Sequence, residues 1–130
     1  MTDCSHHAEG FNPLCGDHYH VYLKLDASET IVNVMFKGQG CAISKASSSM
    51  MTTHLKGKKV SDAKIIFAEF QKMVKGELSP EKEPNHLAQL KVFTSLWKFP
   101  TRIKCAILSW HAVMAALSAG SSAEKPVSTE

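Results

Sequence analysis

Hydrophobic and polar residues alternate along two short stretches between residues 18 and 37, as they do in half-buried β-strands. A polar segment, Asp26 to Glu29, separates the two stretches and has the composition of a turn. The pattern therefore predicts an antiparallel hairpin. The apolar positions that share a parity are Val21, Leu23 and Leu25 in the first stretch and Val32, Val34 and Phe36 in the second.

Helical spacing of apolar residues replaces this alternation after Gly40, and we expect a helix that begins at or near Cys41. Ser61 is the expected N-cap of a second helix, which ends near Gly76. The segment from Leu78 to Asn85 contains two prolines and several charges, so it is predicted to be a solvated loop.

Two more helices are predicted in the last third of the chain. A short helix from about His86 to Trp97 would place Leu87, Leu90 and Thr94 along one side. A longer helix from Thr101 to about Ala119 carries a continuous apolar face and is expected in the core. The residues of that face are Ile103, Ile107, Trp110, Met114 and Leu117.

The order of these elements, strands first and helices afterwards, predicts an α+β fold. In such a fold we expect a small antiparallel sheet that helices cover on one face. Residues 1–120 are expected to form a single domain, and residues 121–130 a flexible polar tail.

Charge and composition exclude several classes of protein. Fifteen lysines and arginines against twelve acidic residues give a net charge of +3 that is scattered along the chain, so no nucleic-acid partner is expected. No stretch reaches the roughly 18 to 20 apolar residues of a membrane span, and the start of the chain lacks the features of a secretion signal. We therefore expect a soluble cytoplasmic protein without a membrane partner, whose four cysteines are metal ligands or reactive thiols.

Three of these cysteines, Cys15, Cys41 and Cys105, lie where the predicted chain changes from one element to the next. Such places converge readily in space, and Asp17 adds a carboxylate two residues after Cys15. Three sulfurs and one oxygen suit a tetrahedral zinc site, and thiolates also suit iron–sulfur clusters. The spacing lacks paired Cys-x-x-Cys motifs, however, so by itself it is a weak signal and is also compatible with free thiols in the core.

Neighbouring charges and dipoles bear on these thiols. A helix N-terminus should lower the thiol pKa of Cys41, and the cations of Arg102 and Lys104 should favour a thiolate at Cys105. Four histidines flank Cys15 and are interpreted either as additional metal ligands or as ordinary polar surface. They are His6, His7, His18 and His20.

The sequences of three segments carry a more specific signal than their spacing. They are Asn12 to Asp17 (Asn-Pro-Leu-Cys-Gly-Asp), Gly38 to Met51 (Gly-Gln-Gly-Cys-Ala-Ile-Ser-Lys-Ala-Ser-Ser-Ser-Met-Met) and Arg102 to Ala106 (Arg-Ile-Lys-Cys-Ala). In sequence and order these segments resemble the NifU-like N-terminal, or IscU-like, family. The resemblance extends from about Asn12 to Leu117 and implies an IscU/SufU-like α+β fold and a role in iron–sulfur cluster assembly.

Within this family the chain is more similar to the SufU branch than to the cluster scaffold IscU. The interval between Cys41 and Cys105 is long, and Lys104 stands where the scaffold branch generally has histidine. The SufU resemblance implies zinc bound by Cys15, Asp17, Cys41 and Cys105, and a zinc-dependent sulfurtransferase that accepts persulfide sulfur from a SufS-type cysteine desulfurase.

The same resemblance implies roles for individual residues. Cys15 would be the thiol that leaves zinc and accepts the sulfur, while Arg102 would assist docking or catalysis. Downstream cluster assembly proteins would receive the sulfur. Family members commonly begin with a further helix that helps to meet the desulfurase. Here only about eleven residues precede Asn12, so Cys4 to Phe11 would form the first strand and docking should be weaker.

Two other functions remain open at this point. An IscU-like scaffold would assemble a [2Fe-2S] cluster on the same residues and transfer it to other proteins. A structural zinc module would use the metal only to stabilise its fold.

Overall fold

The structure is a computed structural model that describes residues 5–12, 16–79 and 87–118. Its sheet has three antiparallel strands in chain order, β1 (His6–Asn12), β2 (Asp17–Leu25) and β3 (Ile31–Gln39). The predicted hairpin, its turn and the additional first strand are confirmed. Cys4, most of the predicted charged loop and the polar tail lie outside the described residues.

One prediction about the second strand of the hairpin is wrong. Lys24 pairs with Asn33 and Leu25 pairs with Ile31, so Val32 is an extra residue on β3. Such a bulge reverses the side chains beyond it relative to the sheet faces. Ile31 is therefore fully buried, whereas Val32, which was expected to face the core, is 39% exposed.

The helices are α1 (Ala42–Leu55), α2 (Val60–Val74), a 3₁₀ helix (Ala88–Lys98) and α3 (Pro100–Ser118). α3 packs against β1, β2 and α1, and α1 also contacts β3. The other face of the sheet carries half-buried polar side chains. The predicted α+β class is thus confirmed. Among the described helices, none is long and apolar enough to cross a membrane.

The start of α2 differs from the prediction, which placed the N-cap at Ser61. The N-cap is Lys59, and no side chain caps the helix. Instead, the backbone N–H of Val60 donates to the carbonyl of Glu29 at 3.0 Å, and Thr30 forms a β-bridge with Lys59. The hairpin turn thus satisfies one of the first four helix N–H groups, which have no partner within the helix.

The short helix before α3 is a 3₁₀ helix instead of the ordinary helix that was predicted. Leu87, Leu90, Phe93 and Leu96 are all buried, and they recur at every third residue. A 3₁₀ helix has three residues per turn, so these side chains form one straight row that packs beside α2. Thr94, which was expected to lie on this side, is only half-buried.

The apolar face of α3 is wider than the predicted stripe. Ile107 and Trp110 are buried as expected, but Ile103, Met114 and Leu117 are only partly buried. The reason is that the sheet, α1 and α2 all contact α3, so small residues that no hydrophobic stripe would include are also enclosed. These residues are Cys105, Ala106, Ser109, Ala112 and Ala116.

Buried serines join α1 to α3. Ser47 donates to the carbonyl oxygen of Ala106 at 2.5 Å, and Ser48 donates to Ser109 Oγ at 2.8 Å. Because hydrogen bonds are directional, these contacts fix how far one helix can slide along the other. They thereby set the position of the start of α1 relative to the first turns of α3.

Candidate metal centre

The candidate metal centre lies where the start of β2, the start of α1 and the N-terminal part of α3 meet, and it consists of Asp17, Cys41 and Cys105. One carboxylate oxygen and the two sulfur atoms all lie within 4.8 Å of one another. Asp17 is the first residue of β2, Cys41 precedes α1, and Cys105 lies in the second turn of α3. Asp17 is fully buried, Cys105 is 3% exposed and Cys41 is half-buried, so the group is reached from the Cys41 side.

The position of Cys41 follows from its role as the N-cap of α1. Its backbone is extended, and its sulfur accepts the backbone N–H of Ser44 at 3.4 Å. Serine, threonine, asparagine and aspartate usually accept this bond, and here a thiol takes their place. The Cys41 N–H in turn donates to Asp17 Oδ1 at 3.1 Å, which attaches the helix start to β2.

Gly40 permits this close approach of β3 and α1 to Asp17. A β-carbon at this position would lie 2.7 Å from Asp17 Oδ1 and 2.5 Å from the hydroxyl of Tyr19. Real β-carbons do not approach other atoms so closely, and both neighbours are fully buried. Any larger residue would therefore force at least one of the surrounding side chains, Asp17, Tyr19 or Ser44, to move.

The carboxylate of Asp17 has one oxygen that the protein does not satisfy. Oδ1 accepts from Cys41, whereas Oδ2 is buried and has no hydrogen-bond partner in the described part of the chain. A buried carboxylate oxygen without a partner is costly. A cation bound by this carboxylate and the two sulfurs would compensate its charge, so the residues present fit a metal ion of the zinc type.

The two thiols differ in acidity. Burial opposes ionisation of Cys41, but hydrogen bonds from Ser44 and Cys105 outweigh it, so the pKa of Cys41 lies below its ordinary value as predicted. Burial raises the pKa of Cys105 far above its ordinary value, and its hydrogen bond to Cys41 and the charges of Cys41 and Asp17 raise it further. The prediction that Arg102 and Lys104 would favour a thiolate at Cys105 is wrong, because both cations lie at the exposed side of α3.

Of the two remaining predicted site residues, the structure describes only Arg102. Cys15 lies outside the described residues, one position before Gly16, so its role stays a prediction. Arg102 is exposed and precedes Cys105 on α3 by three residues, and its backbone N–H donates to Phe99.

Sequence reasoning missed two residues that surround the centre. The Tyr19 hydroxyl and Ser44 Oγ lie 2.8 Å apart, and both residues are fully buried. Burial raises the pKa of Tyr19. Tyr19 shares the parity of Asp17 on β2, and this signal could have placed it on the same face of the sheet.

Comparison with known proteins places these features in context. The model of the NifU-like N terminal domain family matches residues 2–106. The zinc-dependent sulfurtransferase SufU of Bacillus subtilis is 39% identical over 78% of this chain and 67% of its own length. The iron-sulfur cluster assembly scaffold protein IscU of Streptococcus pyogenes is 37% identical over 87% of this chain and 69% of its own length.

A solved structure supports the same grouping. It is described as a putative iron-sulfur cluster assembly scaffold protein for the SUF system from Fervidobacterium islandicum. Its TM-score to this chain is 0.82 at 32% identity, with 90% of this chain and 83% of that chain covered. The three-stranded sheet and its helical layer therefore match those of this structure.

Proposed function

Because the chain belongs to the NifU-like N-terminal domain family, we propose that it is a zinc-dependent sulfur acceptor that takes persulfide sulfur from a SufS-type cysteine desulfurase. The observation that carries the proposal is the Asp17 carboxylate, one oxygen of which has no partner among the described residues, beside two cysteine sulfurs, a donor set that suits zinc. The assignment to iron–sulfur cluster assembly of IscU/SufU type agrees with the motifs and with both relatives. The cytoplasmic location stays a prediction.

Asp17, Cys41 and Cys105 would hold the metal together with Cys15. The chemistry that zinc supplies when bound is to keep thiolates deprotonated, without redox change, and to exchange one ligand for another. Of the three described candidate ligands, Cys105 is buried on α3, and Asp17 accepts a hydrogen bond from the backbone N–H of Cys41. These two are suited to remain in place, and in this proposal Cys15 is the ligand that leaves.

The proposed reaction is a transfer of one sulfur atom. The Cys15 thiolate attacks the outer sulfur of the persulfide on the desulfurase. The sulfur–sulfur bond of that persulfide breaks, the desulfurase thiolate leaves, and Cys15 carries the new persulfide. Atoms and charge balance, and no external oxidant is required. Arg102, exposed on the first turn of α3, would contact the desulfurase.

Mass spectrometry of the chain after incubation with a SufS-type desulfurase and cysteine tests this proposal. We expect a mass increase of one sulfur atom on Cys15, and faster desulfurase turnover when the chain is added. Cys15→Ser should abolish both effects. The matched control is Cys4→Ser, which removes a cysteine that was not predicted to take part. Equal sulfur loading of the Cys15→Ser chain, or no effect on turnover, would contradict the proposal.

A second candidate is a scaffold that assembles a [2Fe-2S] cluster on the same residues. It is favoured by the relative from Streptococcus pyogenes, which is named a scaffold protein and matches more of this chain than SufU does. Anaerobic reconstitution with iron and sulfide separates the two functions. A stable cluster that moves to an acceptor protein supports the scaffold, whereas a chain that retains zinc supports the sulfur acceptor.

A further inference from the structure

The face of the sheet opposite the helices carries a group of histidine side chains close to one carboxylate. Glu9 lies on β1, while His18 and His20 lie on β2. Glu9 pairs directly with His20 across the two strands, and His18 is its diagonal neighbour. One ligand atom from each of the three lies within 4.8 Å of the other two. We propose that Glu9, His18 and His20 form a second metal site for a divalent transition-metal cation.

The contacts within this group converge on one carboxylate oxygen. His18 Nε2 hydrogen-bonds to Glu9 Oε2, and His20 Nε2 lies 3.9 Å from the same oxygen. A cation at this point would take the place of the proton that His18 shares with Glu9. The side chains are 39%, 30% and 31% exposed for His18, Glu9 and His20, so an ion can enter from solution.

A neighbouring histidine orients one of the ligands. His7 Nε2 lies 3.2 Å from His20 Nδ1, and the planes of the two rings are nearly parallel, at an angle of 6°. His7 also stacks on Tyr22, with ring centroids 4.8 Å apart. When Nδ1 of His20 carries the proton and donates to His7, its Nε2 is left as an acceptor that points toward Glu9. Metal-binding histidines commonly have such a partner, which fixes their tautomer and ring orientation.

The donor set selects the class of cation. Two imidazoles and one carboxylate suit zinc, cobalt, nickel or iron(II), and three protein ligands leave positions for water. Calcium and magnesium prefer oxygen ligands, so they should bind poorly.

This site is separate from the centre formed by Asp17, Cys41 and Cys105. Asp17 and His18 are consecutive on β2, and successive side chains of a strand point to opposite faces. The burial of Asp17 and the partial exposure of His18 agree with this alternation. The second site therefore does not depend on the proposed function of the first.

Cobalt titration of the full chain, preloaded with one equivalent of zinc that fills the thiol centre and leaves the second site open, tests the proposal. Cobalt bound by thiolates gives sulfur-to-metal charge-transfer bands, whereas cobalt bound by imidazole and carboxylate gives only visible d–d bands. We expect one equivalent of cobalt to bind with d–d bands and without charge transfer. Glu9→Gln and His20→Asn should each abolish this binding, and His7→Ala should weaken it by about 10- to 100-fold.

The matched control is His54→Ala, which removes a histidine of α1 that is not part of the group. It should leave cobalt binding unchanged. Retention of zinc at the thiol centre verifies that each variant is folded. The proposal is overturned if zinc-loaded chain binds no further cobalt, or if Glu9→Gln and His20→Asn bind it as tightly as the unmodified chain. A result confined to charge-transfer bands would also overturn it, because cobalt would then occupy only the thiol centre.

Discussion

Trp110 donates its indole N–H to Ser47 Oγ at 3.1 Å, in the centre of the interface between α1 and α3. The Ser47 hydroxyl in turn donates to the carbonyl of Ala106, the residue next to Cys105. Both side chains are fully buried, so neither can replace these bonds with water. The polar contact that anchors the tryptophan thus also holds the segment of α3 that carries a candidate ligand.

Replacement of Ser47 by alanine should lower the free energy of unfolding by about 1–3 kcal/mol. The physical reason is that Trp110 N–H would be left buried without an acceptor. Urea unfolding monitored by tryptophan fluorescence measures the change. Ser49→Ala is the matched control, because Ser49 is exposed on the same helix and its loss should have little effect. Equal stability of the two variants would contradict this account.

Replacement of Gly40 by alanine should weaken zinc binding, because the new methyl group would meet Asp17 Oδ1 and the Tyr19 hydroxyl. The measurement is zinc affinity in competition with a chelator. Gly57→Ala is a useful comparison, since Gly57 has a φ of +86° but no neighbour within 4 Å of an added β-carbon. That change should destabilise the chain through backbone strain and leave zinc affinity intact.

Removal of the Asp17 charge should reduce the stabilisation that zinc provides. At a free zinc concentration of about 100 times the dissociation constant, binding should add about 2.7 kcal/mol to the free energy of unfolding. For Asp17→Asn, a tenfold loss of affinity should lower this gain to about 1.4 kcal/mol, because the zinc concentration is then only about ten times the dissociation constant. Urea unfolding with and without zinc measures the difference. Both chains carry His20→Asn, which removes a ligand of the proposed second metal site. Asp62→Asn, on the exposed first turn of α2, should keep the full gain.

Stability should fall in mild acid because of His111. Burial lowers the pKa of His111 below 6.5, and the charge of Lys75 lowers it further. Its ring packs edge-on against Phe67. The unfolded chain therefore binds the proton more tightly, so the contribution of neutral His111 is complete above about pH 6.5 and is lost as the pH falls toward the folded-state pKa.

Urea midpoints at about pH 7.5 and pH 5.5 test this pH dependence, since the two values lie on either side of the ordinary histidine pKa. His111→Gln should remove part of the loss of stability at low pH, and Lys75→Gln should remove a smaller part of it. An unchanged pH dependence in both variants would assign the acid loss to other groups.

Much of the fold could be predicted because its signals are local. The parity of Val21 and Leu23 placed β2 correctly, and Gly40 followed by Cys41 marked the start of α1. The errors arise where distant residues decide the structure. The carbonyl of Glu29 replaces a side-chain cap at α2, and the pairing of Leu25 with Ile31 turns Val32 toward solvent.

The candidate metal centre, too, could be predicted from the sequence only in part. The residue types of Asp17, Cys41 and Cys105 indicated a shared site, and the structure brings these three together. The acidity of Cys105 was not predictable, because its pKa depends on burial by packing of the whole helix layer and not on its sequence neighbours. The buried serines of α1 gave no hydrophobic signal at all, although they position the two helices.

The three described candidate ligands come from the early, middle and late parts of the sequence, and this order has a consequence for biosynthesis. A nascent chain that has left the ribosome only as far as α2 holds Asp17 and Cys41 but lacks Cys105. High-affinity metal uptake through all three must therefore wait until α3 is complete and packed against α1. Metal loading would then be a late event that only fully folded molecules complete.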